Sequence, residues 1–212
     1  MKNLLYKELT FSINKFFFII PFVLSLLFFI PSWLYSLVIM YFFWISVPQI
    51  IGGYTAQLDY KFCGILPVSK KDIVSSKIIA FLILELIHII SAVIFGVIHN
   101  LIYESWNLFM EINPAYFGVM LVMLALFNII LLPNYFKTAY KFGKPIIIGV
   151  VATLLFAGLF EVGAAIIPFM RDILKSSNVL TQLTVLFIGI VLFVVMNYVT
   201  LKKSIYHFER IR

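Results

Sequence analysis

Glu85 and His88 stand three residues apart inside one long apolar run, and Glu161 sits inside another, so these side chains are the first whose placement calls for a chemical reason. On a helix, positions i and i+3 share a face. A Glu-x-x-His pair is half of the donor set that holds a binuclear metal centre in a helical bundle, but such a centre needs a second Glu-x-x-His and the chain has none. No metal is expected. A charge at membrane depth costs roughly 2.5–3.5 kcal/mol on insertion scales, so each acid must face protein or water. Two readings stay open for Glu85, His88 and Glu161: interhelical hydrogen bonds, or a polar patch along a solute's path. Asn128, also in an apolar run, reads as a bond between helices.

No reactive set can be built from the rest. His88, His99 and His207 fall in three separate segments, and no Ser-His-acid motif surrounds any serine. The phosphate-binding pattern Gly-x-x-x-x-Gly-Lys-Ser/Thr does not occur; its nearest fragment, Phe142-Gly143-Lys144-Pro145, lacks the first glycine and the hydroxyl residue. The chain is therefore expected to have no catalytic residue, no cofactor of its own and no ATP site. Cys63 is the single cysteine, which rules out an intrachain disulfide and reads as an apolar filler.

The elements that carry these residues follow from composition. Of 212 residues, 63% are hydrophobic and 12% charged, about half the roughly 25% of a soluble domain. A mean hydropathy of +1.09 and 17% aromatic residues fit helices facing lipid. The net charge of +7 does not point to nucleic acid, because the basic residues form short clusters between apolar runs instead of one stripe.

Residues 16–58 contain no charge, about twice the ~20 residues needed for one crossing, so two helices must share them. Pro31-Ser32 is the natural break. The predicted spans are 16–30, 33–53, 78–98, 116–132, 145–168 and 180–201, with 99–113 as a polar loop and Pro133-Asn134 ending the fourth. Pro21 and Pro48 fall inside spans 1 and 2 as kinks or hinges. Gly149, Gly158 and Gly163 give span 5 small faces without forming a Gly-x-x-x-Gly pattern. The expected fold is all-α: a polytopic membrane protein of six transmembrane helices, one domain over 1–212, with no internal repeat. No small-x-small cleavage pattern follows the first apolar run, so the N-terminus is expected to be retained.

Lysine and arginine set the orientation. Lys2, Lys7, Lys15, Lys61, Lys70, Lys71, Lys77, Lys137, Lys141, Lys144, Lys202, Lys203, Arg210 and Arg212 fall on one side, and only Arg171 and Lys175 on the other. Basic loops resist translocation, which predicts that both termini are cytoplasmic.

Two segments on that side are unusual. The N-terminal stretch places Leu4, Leu5, Leu9 and Ile13 near helical spacing, as in an amphipathic helix lying in the interface. Residues 57–77 are too apolar for a free loop: Phe62, Ile65, Leu66 and Val68 must rest on lipid headgroups or on a partner. Ser69, with Asp72 three positions on, can cap a helix that starts near Lys70 and runs into span 3.

The N-terminal LLYKEL, the six spans, and Asp59 followed by ILPVSKKDIVSSK resemble the permeases of ABC-2-type transporters. The chain is most similar to small bacterial permeases that export phenol-soluble modulins and related amphipathic peptides. The resemblance covers the whole chain in topology, with residues 59–77 its motif-like part. It implies a permease in the bacterial cytoplasmic membrane, acting as a homodimer or with a sister permease and exporting an amphipathic or apolar solute: a peptide, toxin or antibiotic. ATP and Mg would be bound by a separate ATP-binding subunit. Asp59, Leu66, Pro67, Ser69, Lys70 and Lys77 match the family pattern for contacting it, and Phe62, Val68 and Lys71 lie among them. Two other readings are kept: the substrate-capturing membrane subunit of an importer, and a membrane immunity or scaffold protein without transport.

Overall fold

A computed structural model describes residues 1–103 and 107–211, and its regular elements are all helical. Arg212, counted above among the basic residues, lies outside the described residues, as do positions 104–106 of the expected loop.

The chain opens with α1 (Lys2–Lys7), which widens into a π turn over Glu8–Ser12. It then bends by 68° into α2 (Phe16–Ser25), whose end tightens to a 3₁₀ turn at Leu26–Phe29. The side chain of Asn14 accepts the Phe16 N–H and starts α2. α3 (Ser36–Tyr41), a π turn (Phe42–Ser46) and α4 (Val47–Ala56) form the second span. α5 (Asp59–Ile65) is a short outlying helix. α6 (Lys70–Ile102), α7 (Pro114–Lys137), α8 (Gly143–Ile166), the short α9 (Pro168–Leu174) and α10 (Val179–Glu209) complete the order.

Five helices are long and apolar enough to cross a bilayer: Ser36–Ala56, α6, α7, α8 and α10. The expected first span is shorter than the others. α2 and its 3₁₀ end supply 10 and 4 residues, about 20 Å of rise against a hydrocarbon core of about 30 Å. A sixth crossing is reached only if the bent pair Lys2–Ser12 and Phe16–Phe29 counts as one span.

The breaks have local causes. Ser32, next to Pro31, takes a left-handed backbone (φ 54°), and Leu58 does the same (φ 52°) between α4 and α5. Asn113 accepts the Tyr116 N–H at 2.9 Å, with Pro114 in the first turn of α7. Two sequence expectations are corrected. α6 continues through His99 to Ile102, so the start of the expected loop is helix. α7 passes through Pro133 to Lys137, although Pro133 has no N–H for the Ile129 carbonyl four residues back; the Asn134 Nδ2 donates to the next carbonyl, of Ile130, at 2.8 Å. Pro48 lies in the first turn of α4, where it is tolerated, and the irregularity of this span is instead the π turn ahead of it.

α7 is the most buried span, and α10, which otherwise faces outward, runs along it. They meet at Gly118 and Gly189, where a Cβ on Gly118 would fall 2.6 Å from the Val185 carbonyl oxygen. Without a bilayer-like solvent the apolar outer faces of α8 and α10, including Leu155, Phe187 and Val194, would have no cover. Of the span 5 glycines, Gly149 abuts Phe127 of α7, Gly163 lies against Met170 of α9, and Gly158 meets nothing.

Candidate functional site

Residues 59–77 form a hairpin at the end of the bundle that holds both chain termini. Leu66 is extended after α5, and Ser69 caps α6: its Oγ accepts the Asp72 N–H at 3.0 Å and donates to the Asp72 carboxylate at 2.8 Å. The outer face carries Phe62 (48% exposed), Ile65 (81% exposed) and Val68, with Pro67, Ser69 and Lys71 also exposed and Leu66 half-buried. Lys70 is exposed but engaged: its ammonium donates to the Glu209 and Ile211 carbonyls and closes the C-terminus of α10.

Asp59 and Lys77, expected with that face, point the other way. They are 3% and 1% exposed. The Lys77 Nζ sits 2.6 Å from Asp59 Oδ2 and 3.1 Å from Glu8 Oε1, and Lys7 Nζ pairs with Glu8 at 3.0 Å and with the other Asp59 oxygen. Two ammonium and two carboxylate groups thus close on one another, with formal charges that cancel. The Lys77 ammonium also lies 3.7 Å from the centre of the Tyr54 ring. Around this quartet the Tyr135 and Tyr140 rings stack at 4.8 Å, and Tyr140 stacks in turn on Phe208 of α10.

Asp59 and Lys7 of the quartet favour their charged forms. Burial pushes the Asp59 carboxyl up, but Lys77 and Lys7 offset this and hold it below its ordinary value. Burial likewise disfavours the Lys7 ammonium, and the Asp59 and Glu8 carboxylates more than restore it, so its pKa is raised. Cys63 donates its thiol to Asp59 at 3.6 Å; burial and that carboxylate push the thiol up and away from reactivity. The quartet ties three elements together: the N-terminal helix, α5 and the start of α6.

The sequence reading counted Lys7 among the basic residues that set orientation and gave Glu8 no role. Their partners lie 52 and 69 residues away, and no local spacing signals such a pairing. LLYKEL contains both, which is the one hint the sequence offered.

The three polar residues of the apolar runs bond between elements. Asn128 of α7 donates both amide hydrogens, to Glu85 of α6 at 2.9 Å and to Asn197 of α10 at 3.0 Å. His88 Nε2 lies 2.9 Å from the Val38 carbonyl, to which the Nε2–H tautomer of the ring donates. Glu161 of α8 accepts the Ser36 N–H at 3.2 Å, at the start of α3, and the Met110 N–H at 2.9 Å. All three side chains are buried within the protomer. His99 bonds the Phe28 carbonyl and His207 lies apart on α10, so the histidines do not converge.

At the opposite end, Lys175 donates to the Leu108 carbonyl and Asn113 to that of Leu174. Arg171 and Lys175, the two basic residues that the loop count set apart, lie in and just after α9 at this end.

Residues 3–209, nearly the full length, match the family described as "ABC-2 family transporter protein". No curated protein and no solved structure matches the chain.

Proposed function

Because the chain belongs to the ABC-2 transporter family, and so is a multi-pass membrane component of an ABC-type transporter, we propose that it is the permease subunit of an ATP-driven exporter. In this reading a separate ATP-binding subunit binds ATP and Mg, and docks on the exposed face of the 59–77 hairpin. The observation that supports it most is the pairing of that face with a rigid mount. Phe62, Ile65, Leu66, Pro67 and Val68 offer apolar surface for a partner, and Ser69, Lys70 and Lys71 give it a polar rim.

Asp59 and Lys77 enter as positioning residues, because the quartet fixes the hairpin to α6 and to the N-terminal helix. α6 has 33 residues, about 50 Å of rigid helix, so a push on the hairpin reaches the far end of the bundle. The same push moves the N-terminal helix and, through the 68° elbow, α2. Glu85, His88 and Glu161 then act as clamps between helices, the first of the two roles the sequence left open.

The solute class in this reading, an amphipathic or apolar peptide, toxin or antibiotic, rests on the sequence resemblance to exporters of amphipathic peptides. Two permeases, identical or sister, form the path between them. The protein lies in a bacterial cytoplasmic membrane with both termini in the cytoplasm, where the basic end meets the ATP-binding subunit.

Co-purification tests this. The full chain and its ATP-binding subunit are expressed together with Phe62→Asp or Val68→Asp in the permease. The proposal expects the subunit to be lost from both variants while each elutes as a folded membrane protein. Undiminished co-purification would remove the hairpin from the contact.

A further inference from the structure

The elbow between the N-terminal helix and α2 leaves a groove against α4, with a volume of about 670 Å³, within the range of small-molecule sites. Its two ends differ. Toward the middle of the spans it is lined by Phe17, Ile20 and Ile45; toward the basic end it is lined by Lys15, Gln49 and Gln57. Lys15 is the one charged residue of the lining and makes no ion pair among the described residues. Ser12, only 6% exposed, lies in the same wall, and its Oγ has no hydrogen-bond partner among the described residues. A buried hydroxyl without a partner is costly in a finished interior.

We propose that this groove binds one anionic phospholipid from the leaflet at the basic end, its phosphate on Lys15 beside the glutamine amides, its acyl chain along Phe17, Ile20 and Ile45. Charge complementarity selects the head: one unpaired ammonium among neutral amides, with no acid in the lining, suits a net negative group. Polarity along the groove selects an amphiphile over a free anion. Phe16 lines the groove and is itself exposed, so apolar surface runs from the groove to the outside of the protein. The lipid would wedge the elbow open and set the angle between the interfacial helix and α2. The inference needs only a membrane-spanning chain and stands apart from the exporter reading.

Gly53 supplies the test. It lines the groove, and a Cβ added there meets nothing within 4 Å, so a larger side chain enters the groove without striking the protein. The full chain is equilibrated with phosphatidylglycerol or phosphatidylcholine in mild detergent, and retained lipid is counted by native mass spectrometry for wild type, Lys15→Gln and Gly53→Leu. Thermal unfolding confirms that each variant is folded. Wild type is expected to retain one phosphatidylglycerol about five-fold more than phosphatidylcholine. Lys15→Gln should erase that preference, and Gly53→Leu should lose both lipids. Equal retention of the two lipids by wild type, or unchanged retention in both variants, overturns the assignment. So does a wild type that dimerises without lipid through a contact that Gly53→Leu abolishes, because a second copy would then be the occupant.

Discussion

The Lys77 ammonium lies 2.6 Å from the Asp59 carboxylate, and neither side chain reaches solvent. A residue at the start of one long helix is thereby fixed to the first turn of the hairpin before it, with Glu8 bringing in the N-terminal helix. Breaking such a pair on one side is far costlier than its net worth, because a charge is left buried and unpaired. Lys77→Met is expected to destabilise the chain by about 3–5 kcal/mol. Combining it with Asp59→Asn should cost clearly less than the sum of the two single changes. Thermal unfolding in detergent measures both; strict additivity would mean that the two groups do not interact.

The pH response follows from opposite shifts. Asp59 has a folded-state pKa below its ordinary 3.8, so its contribution is present above that value and is lost as pH falls through the folded value. Lys7 is raised above its ordinary 10.5, so its contribution is complete below that value and is lost as pH rises through the folded one. Anchoring of the N-terminal helix should therefore be flat between about pH 5 and 9. Protease cleavage within residues 1–15 measures it, and release near neutrality would contradict the assigned charges.

Asn128 holds Glu85 and Asn197 at once, so its loss separates α6 from α10 as well as from α7. Asn128→Leu should cost about 1–2 kcal/mol, the scale of interhelical hydrogen bonds in membranes. Glu85→Gln, which keeps an acceptor oxygen for the same bond, should cost less. If the two changes are equally damaging, the charge of Glu85 has a role beyond this bond.

Gly118→Leu should be more disruptive than either, because Leu186 and the Val185 carbonyl of α10 already occupy the space. Gly158→Leu, with nothing within 4 Å of its Cβ, should leave stability unchanged. Side-by-side melting curves of the two variants distinguish the α7–α10 crossing from ordinary glycine effects.

Local chemistry in the sequence foretold local structure. Pro31-Ser32 breaks the uncharged run, and Ser69 and Asp72 cap the helix that enters span 3. Pro133 misled because a proline removes one donor from a helix without having to end it, and α7 is packed along α10. The Gly118–Gly189 crossing was hidden for a different reason: the two glycines lie on different helices, and no spacing relates them. The candidate hairpin was legible in its outline, from apolar residues where a loop should be polar. Its division into an outer face and an inner ion quartet was not, since Asp59 and Lys77 look like surface charges until Lys7 and Glu8 are brought against them.

That division is also the most direct test of the proposed function. ATPase activity of the partner subunit is measured in lipid with the wild-type chain, with Ile65→Asp on the outer face, and with Lys77→Arg in the quartet. The account predicts that Ile65→Asp abolishes both binding and stimulation, whereas Lys77→Arg keeps binding but lowers stimulation, because the face survives while its mount is loosened. Full stimulation by Ile65→Asp, or equal loss of binding in both, would contradict it.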